Sequence, residues 1–305
     1  MGIGDRHTEM GQNEYTINVG GRLMELGSPV VMGIINVTPD SFHVSIDPSS
    51  ADAESLVAVE VRRMLADGAR MIDVGGCSTR PGSEPVGADE EWGRLDMALR
   101  VIRRISSEVV VSVDTFRPLI AGRCIDEYGT DIINDVSGGC DDMYDLVSRK
   151  GVPYILTFNE TRRNGMTVCQ QALMFFSKHI QQLRDRGQHD IILDPGFGFN
   201  KTLSENFELL HSLDEFHVFG LPLLVGVSHK RMAYQPLGIT HDQAANGTTV
   251  LNTIALTNGA DILRVHDVRN AAECIKLWNK TYRDVSEDRK RRAAACNKST
   301  TTDNE

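Results

Sequence analysis

The sequence lacks long apolar runs, and no stretch approaches the roughly 20 consecutive apolar residues that a membrane-spanning helix needs. Its polar beginning, residues 1–13, also lacks the apolar segment of a secretory signal. Basic residues are in the minority, because 32 lysines and arginines stand against 42 aspartates and glutamates and give a formal net charge of −10. This charge argues against a general nucleic-acid or membrane-surface binder. We therefore expect a soluble cytoplasmic protein in which 1–13 is a flexible leader.

Cysteine pairs and several common catalytic signatures are absent as well. The six cysteines are scattered without a C-x-x-C pair, which predicts reduced thiols and no zinc-ligand spacing. The chain has no Gly-x-Gly-x-x-Gly turn, no Walker loop and no H-E-x-x-H helix. These absences disfavour the dinucleotide-binding fold, nucleoside triphosphate chemistry and zinc-dependent hydrolysis.

The chain does contain a repeated order of apolar strand, polar loop and amphipathic helix. Eight such units in about 240 residues predict one α/β domain of the (β/α)8 TIM-barrel class, whose typical size is ~250 residues. An open, doubly wound sheet is the alternative fold. We place the barrel domain at 14–282 and a disordered polar tail at 283–305. The strand candidates are 30–36, 70–75, 109–114, 131–136, 153–158, 190–194, 222–228 and 261–266.

A short β-hairpin is expected before the barrel. Tyr15, Ile17 and Val19 alternate with polar residues, and Gly20-Gly21 supplies a tight turn. We expect this N-terminal β-hairpin to close the N-terminal mouth of the barrel.

Polar side chains stand where nearly every predicted strand ends. In a barrel these ends meet at one mouth, where active sites are built. Ordinary loop polarity is the alternative explanation at any single strand. The residues are Asn36, Asp73, Asp114, Asn134, Asn159, Asp194, the Ser228-His229-Lys230 run, Arg264, His266 and Asp267.

One group of these residues carries carboxylates and amides. Asp114, Asn134 and Asp194 follow strands three, four and six. Such groups pair well with the N–H and amino groups of a flat nitrogen heterocycle. A helix cap is the structural alternative for Asp114, and turn chemistry is the alternative for Asp194-Pro195-Gly196.

A second group carries positive charge. Lys230, Arg264 and His266 follow strands seven and eight, which is where barrels commonly hold phosphate. Arginine can engage phosphate oxygens in a bidentate manner. A salt bridge between Arg264 and Asp267 is the structural alternative. A heterocycle pocket beside an anion pocket suggests group transfer with a phosphate or pyrophosphate leaving group, for which Mg²⁺ is a plausible cofactor.

Six segments, found in this order, carry a more specific signal: 33–42, 72–82, 112–115, 133–139, 193–199 and 264–268. Together they resemble the dihydropteroate synthase family of folate biosynthesis, from about Tyr15 to Lys280. The resemblance implies a (β/α)8 barrel that joins 6-hydroxymethyl-7,8-dihydropterin pyrophosphate to 4-aminobenzoate. It also implies Mg²⁺ as cofactor, a homodimer and a site that is the target of sulfonamides, which mimic aminobenzoate.

The resemblance assigns site residues motif by motif. Asn36 would take Mg²⁺, and Phe42, Arg80 and Pro81 would shape the 4-aminobenzoate site together with Lys230. The pterin pyrophosphate would be bound by Thr79, Asp114, Asn134, Asp194, Lys230, Arg264 and His266.

The catalytic residues implied by the resemblance are Asp114, Lys230, Arg264 and His266. Pyrophosphate would leave first, with its charge stabilised by Mg²⁺, Arg264 and His266. Asp114 would stabilise the positive charge that develops on the pterin. The amine of aminobenzoate would then attack the methylene carbon, without any covalent protein nucleophile.

Three departures from the family pattern are visible. His229 stands where the family has arginine, and a neutral histidine would lose a fixed cation unless Arg231 replaces it. Thr157-Phe158-Asn159 replaces a Met-His-Met run, and His43-Val44-Ser45 replaces an Asp-Gly-Gly loop tip. We expect effects on substrate affinity and loop behaviour rather than on the fold.

Two other functions fit part of the pattern. A folate-binding methyltransferase domain shares the pterin-binding barrel, but its ligand carries no pyrophosphate and gives less reason for Asn36, Arg264 and His266 to occur together. A barrel that binds pterin without catalysis is the other alternative. Release of pyrophosphate in an assay that contains both substrates would separate these functions from the synthase.

Overall fold

The strands form a two-stranded hairpin followed by an eight-stranded parallel sheet. The computed structural model describes residues 15–39, 46–78, 86–161 and 165–285. Within these ranges the strands are β1 (Thr16–Val19), β2 (Arg22–Glu25), β3 (Val30–Asn36), β4 (Met71–Gly75), β5 (Val110–Asp114), β6 (Ile132–Asp135), β7 (Tyr154–Thr157), β8 (Ile191–Asp194), β9 (Leu224–Val225) and β10 (Ile262–Val265).

The parallel sheet closes into the predicted (β/α)8 barrel. Its strands are hydrogen-bonded in the order β8-β7-β6-β5-β4-β3-β10-β9. The remaining gap, between β8 and β9, is bridged at Leu193 and Leu223, where the Leu193 amide also donates to the Pro222 carbonyl at 2.9 Å. The strands are almost fully buried, as expected for parallel strands covered on both faces. The open-sheet alternative is therefore wrong.

The seventh barrel strand is much shorter than the predicted 222–228 segment. Side chains replace ladder hydrogen bonds at both of its ends. The amide of Leu223 donates to the carboxylate of Asp261 at 2.8 Å. Beyond the strand, the hydroxyl of Ser228 accepts the amide of His266 at 3.2 Å. The chain therefore leaves the sheet early and brings Ser228 and the residues after it to the barrel mouth.

Helices follow the strands and pack around the sheet. Two of the helices end at Gly129 and Gly151, whose φ angles of 59° and 63° form left-handed C-caps. No helix of the described ranges is both long and apolar enough to cross a membrane. The helices are α1 (Ala53–Ala66), α2 (Ala88–Ile105), α3 (Pro118–Tyr128), α4 (Asp141–Lys150), α5 (Val168–Asp185), α6 (Leu203–His211), α7 (Arg231–Tyr234), α8 (Ala245–Thr257) and α9 (Val268–Trp278).

The N-terminal hairpin covers the lower end of the barrel, as predicted. Gly20 and Gly21 form its turn with φ angles of 58° and 81°, the left-handed region that a tight hairpin requires. The buried side chains of the hairpin share one apolar cluster with the first residues of the barrel strands. Its members are Ile17, Val19, Met24, Leu26, Val30, Met32, Met71, Val110, Ile132, Ile155, Ile192, Leu224 and Ile262.

The two ends of the chain lie mostly outside the described residues. Residues 1–14 and 286–305 fall there, so the leader and the tail stay predictions. At the C-terminal side, α9 continues into a π-helical segment, Asn279–Asp284, which extends slightly past the predicted domain end at residue 282.

Candidate active site

Arg264 lies at the centre of a buried ionic network at the barrel mouth. Its Nε donates to the Asp73 carboxylate at 2.6 Å, and a terminal guanidinium nitrogen donates to Asp114 at 3.0 Å. The same Asp73 oxygen accepts the amide of Asn134 at 3.0 Å. Parallel pairing explains the assembly, because Asp114 lies opposite Asn134 and Gly75 in register. Residues far apart in the sequence thus meet in one hydrogen-bonded group.

Two oxygen atoms of this network still have unused hydrogen-bonding capacity. Asn134 Oδ1 and Asp73 Oδ1 are buried and accept no hydrogen bond from the described residues. Buried polar atoms are nearly always paired in native proteins, and leaving one unpaired costs about 1–3 kcal/mol. Since the Asn134 amide nitrogen is engaged with Asp73, its oxygen is oriented to accept an N–H group. The pair can serve as acceptors for a nitrogen heterocycle.

Asp114 is a carboxyl group whose protonation is finely balanced. Burial raises its pKa to about 7, while Arg264 opposes that rise and Asp73 adds to it. Asp114 does not cap the next helix, since α3 begins after Arg117, whose amide donates to the Thr115 hydroxyl at 3.2 Å. The helix-cap alternative is therefore wrong, and the carboxylate faces the site.

Asp194 and Lys230 form a second charged pair beside this network. Burial raises the pKa of Asp194, whereas Lys230 lowers it. Burial lowers the pKa of Lys230 to about 8, and Asp194 opposes this change. Asp194 also accepts the Gly196 amide at 2.8 Å, so it makes the predicted turn as well. The Lys230 ammonium donates to the carbonyl of Phe197 and lies 4.8 Å from the ring centre of Phe199.

The two charged groups border one another. A Cβ atom on Gly226 would lie 3.9 Å from both Arg264 Cβ and Lys230 Nζ. Asp73, Asp114 and Asp194 together face Arg264 and Lys230, which leaves one negative charge in excess when all are ionised. Such a surface favours an electron-poor or positively charged ring over an anionic one.

His266 and Asn36 lie at the edge of the same mouth. His266 Nδ1 is 3.1 Å from the Ser228 hydroxyl, just beyond β10. Asn36 ends β3, and its side-chain oxygen would lie 3.6 Å from a Cβ on Gly75, beside Asp114. Because Gly75 has no side chain, space remains around that oxygen. The described residues contain no cluster of three or more His, Cys, Asp or Glu side chains that could hold a metal.

Four predicted site residues cannot be placed. Phe42, Thr79, Arg80 and Pro81 lie outside the described residues, as does the 43–45 departure. The structural alternative for Arg264, a salt bridge with Asp267, is wrong in its partner, because Arg264 pairs with Asp73 and Asp114.

Comparison with known proteins identifies the family. A family profile described as pterin binding enzyme matches residues 32–266. The dihydropteroate synthase of Bacillus subtilis strain 168 is 36% identical over 256 residues, which cover 82% of this chain and 87% of that protein. This chain belongs to the dihydropteroate synthase family.

Solved structures of the family share the fold. A Xanthomonas albilineans dihydropteroate synthase with 4-aminobenzoic acid is 30% identical, with a TM-score of 0.81 and coverage of 88% of this chain and 98% of that chain. A Yersinia pestis dihydropteroate synthase in a sulfonamide drug complex is 32% identical, with a TM-score of 0.79 and the same coverage. The predicted family and barrel are confirmed.

The residues of the predicted departure after β7 turn into the protein or bind neighbouring backbone. The ring of Phe158 is fully buried against Phe175 and Phe176, at centroid distances of 5.4 and 6.4 Å. The side-chain amide of Asn159 donates to the Val136 carbonyl at 2.7 Å. Thr157 ends β7 and is also buried. This wall of the site is therefore built differently from the family pattern.

Two residues with central positions received no role from the sequence. Asp73 appeared only as one polar strand end, although it binds both Arg264 and Asn134. Lys201 is buried and donates to the carbonyls of Phe158, Gly196 and Phe199 at 2.8, 2.9 and 3.1 Å. Burial lowers the pKa of Lys201 to about 7. The alternation of side-chain direction along the strand was a signal that could have identified Asp73, but no local sequence feature identified Lys201.

Proposed function

We propose that this chain joins 6-hydroxymethyl-7,8-dihydropterin pyrophosphate to 4-aminobenzoate, forming 7,8-dihydropteroate and releasing pyrophosphate. The observation that carries the proposal is the buried network of Asp73, Asn134, Asp114 and Arg264, with Lys230 beside it. Its unpaired oxygens suit the N–H groups of a flat heterocycle, and its cations suit an anionic leaving group. The reaction named for the relatives requires both kinds of group at one opening.

The proposed chemistry proceeds by loss of pyrophosphate and then attack by the amine. The bond between the pterin methylene carbon and the pyrophosphate oxygen breaks, and both electrons leave with the oxygen. Arg264 and His266 offset the negative charge of the leaving group. Asp114 stabilises the positive charge left on the pterin, which fits the excess negative charge of its surroundings. The amine of 4-aminobenzoate forms the new C–N bond and releases a proton.

A magnesium ion fits the same proposal. Asn36 offers a hard amide oxygen beside Gly75, which has no side chain of its own, and Mg²⁺ needs few protein ligands when phosphate and water supply the rest. Asn36 would hold the ion there, and bound Mg²⁺ would supply charge neutralisation for the pyrophosphate. Titration of Mg²⁺ with Asn36→Ala should show a raised magnesium requirement for turnover.

We also propose that the enzyme is a cytoplasmic homodimer and that sulfonamides compete with 4-aminobenzoate at its site. The five described cysteines are free, as expected in a reducing compartment. Val250, Ile254 and Leu277 on the adjacent helices α8 and α9 are 51%, 41% and 69% exposed. Sedimentation of Ile254→Lys should shift towards the monomer. Val59→Lys, at an apolar position that is 62% exposed on α1, is the matched control.

The decisive experiment combines purified protein, both substrates and Mg²⁺, and measures dihydropteroate and pyrophosphate together. We expect equal amounts of both products. Asp114→Ala and Lys230→Ala should each lower turnover by about 10² or more, because each removes a charge that contacts the reacting ring. Unchanged turnover in both variants would contradict the site assignment. Pterin binding without any product would favour the non-catalytic barrel.

A further inference from the structure

His229, the residue before Lys230, combines an unusual backbone conformation with a buried side chain. It lies between Ser228 and Lys230, and its backbone φ of 53° is in the left-handed region that L residues rarely adopt. Only 1% of its side chain is exposed. Its amide donates to the hydroxyl of Thr248 at 3.1 Å. A strained backbone with a buried polar ring suggests a specific function for the side chain.

Both ring nitrogens of His229 face hydrogen-bond acceptors. Nε2 lies 2.7 Å from the carboxylate of Asp267, and Nδ1 lies 3.0 Å from the backbone carbonyl of His241. A carbonyl and an ionised carboxylate can only accept, so each nitrogen must donate a proton. A neutral imidazole has one N–H group and can satisfy only one of these partners. The contacts therefore select the doubly protonated, positively charged ring.

The electrostatic surroundings agree with this protonation state. Burial lowers the pKa of His229, but the hydrogen bonds to Asp267 and to the His241 carbonyl outweigh it, and the net shift is upward. These contacts favour a positive charge at this position on a group that can lose its proton. The sequence left open whether the ring of His229 is neutral, and the contacts favour the charged form.

The ring connects three segments around the mouth. Asp267 directly follows His266 at the end of β10, and the ring of His266 lies edge-on to His229 at 5.9 Å. His241 begins a single 3-10 turn, His241–Gln243, before α8. Lys230, the next residue in the chain, reaches the opposite side of the site at Phe197.

We propose that His229 acts as an imidazolium and as a positioning residue: it fixes the Lys230 segment against the end of β10, so that binding of the pterin pyrophosphate weakens when the ring loses its proton. This inference rests on the proposed function. It assigns to the chain a pH dependence that an arginine at this position would not give, because arginine stays charged throughout the working range.

The sign of the effect follows from the upward shift. Both hydrogen bonds are present below the ordinary histidine pKa, and one of them is lost as the pH rises through the higher value of the folded protein. Other charges also surround this ring, so the wild-type profile alone is not decisive. The titratable or charged groups near His229 and its partner Asp267 include Lys230, Arg231, His241, Asp242, His266 and Arg63.

The test compares the wild type with His229→Arg, which keeps the positive charge at every pH used. The Michaelis constant for the pterin pyrophosphate is measured from about pH 6 to about pH 9, with 4-aminobenzoate and Mg²⁺ saturating. We expect the wild-type constant to rise about tenfold more than that of His229→Arg, the value of one charge-assisted hydrogen bond. His189→Arg, an exposed histidine before β8, is the matched control and should follow the wild type.

A direct readout uses nitrogen NMR of the histidine rings in the protein without substrate. Both ring nitrogens of His229 should carry protons at neutral pH and titrate together, and Asp267→Asn should move that titration to lower pH. A neutral ring at pH 7, or superimposable profiles for wild type and His229→Arg, would overturn the inference. Absence of dihydropteroate in the wild-type assay would instead overturn the proposed function, and the NMR titration would still judge His229.

Discussion

The replacement Asp73→Asn tests whether the buried network, rather than any single residue, orients the site. One oxygen of Asp73 accepts hydrogen bonds from Arg264 at 2.6 Å and from Asn134 at 3.0 Å. An asparagine keeps the shape and one acceptor oxygen but removes the negative charge. Hydrogen bonds to charged groups contribute about 1.5–3 kcal/mol each, and we expect roughly one such contribution to be lost.

That loss should appear in both stability and function. A free energy of about 1.5–3 kcal/mol corresponds to roughly 10- to 100-fold in kcat/KM for the pterin pyrophosphate, if Arg264 and Asn134 lose their alignment. Asp73 also helps to raise the pKa of Asp114. Its neutralisation should therefore move the acidic limb of the pH profile of kcat/KM to lower pH.

Asp131→Asn provides the matched control at the other end of the barrel. Asp131 is also buried, and it accepts hydrogen bonds from Arg103 and from the amide of Val111, both at 2.8 Å. Urea denaturation should show similar losses of stability for both variants. Only Asp73→Asn should change kcat/KM and the pH profile. If Asp73→Asn kept wild-type kinetics within about twofold while both variants lost stability, the reasoning about the network would be refuted.

Three further perturbations test other parts of the structure. Burial raises the pKa of Asp114 to about 7 from an ordinary value of 3.8, so the folded protein binds an extra proton between these pH values. The stability of the wild type should therefore fall with rising pH relative to that of Asp114→Asn. Equal changes in the urea-denaturation midpoints of the two proteins between pH 5 and pH 8 would contradict this. Lys201→Met leaves three carbonyls without their donor and should lower the free energy of unfolding, measured by urea denaturation, by about 3–5 kcal/mol. The control Lys150→Met, at a solvent-accessible lysine, should lower it by about 0.5 kcal/mol. Equal losses in the two variants would refute the role of Lys201. Gly196→Ala brings a Cβ to 2.1 Å from a backbone oxygen and should lower the free energy of unfolding by about 3 kcal/mol or more. In the control Gly187→Ala the Cβ meets nothing within 4 Å, so only the left-handed backbone strain of about 1–2 kcal/mol should be lost in the same assay. Equal losses would argue against the close approach at Gly196.

Much of the fold was predictable because it depends on local patterns. The apolar runs and the Gly20-Gly21 turn are each visible within a few residues, and the strands and the turn lie at these places. The short β9 was not predictable, because its ends depend on contacts with a distant segment: the Asp261 carboxylate at one end, and the His266 amide donating to the Ser228 hydroxyl at the other. Apolar character alone could not indicate that these contacts replace the ladder.

Many residues of the site were predictable from the sequence, but the hydrogen bonds and ion pairs between them were not. Strand ends identified Asp114, Asn134 and Arg264, yet the sequence could not indicate that Asp73 joins them across 191 positions of the chain. The protonation of His229 was also hidden, because it depends on two acceptors brought by tertiary folding. Residue type left the protonation state of His229 open, and the two acceptors favour the charged ring that we propose.

The narrow closure of the barrel between β8 and β9 has a kinetic consequence. Most neighbouring strands are joined by ladders of several hydrogen bonds, whereas this seam depends on the bridge between Leu193 and Leu223. Amide protons along the seam should therefore exchange with solvent before those of β3 to β5. Asp194 and Lys230 lie at the mouth end of this seam. The part of the barrel that opens most easily is therefore also the wall that would contact the ring of the substrate.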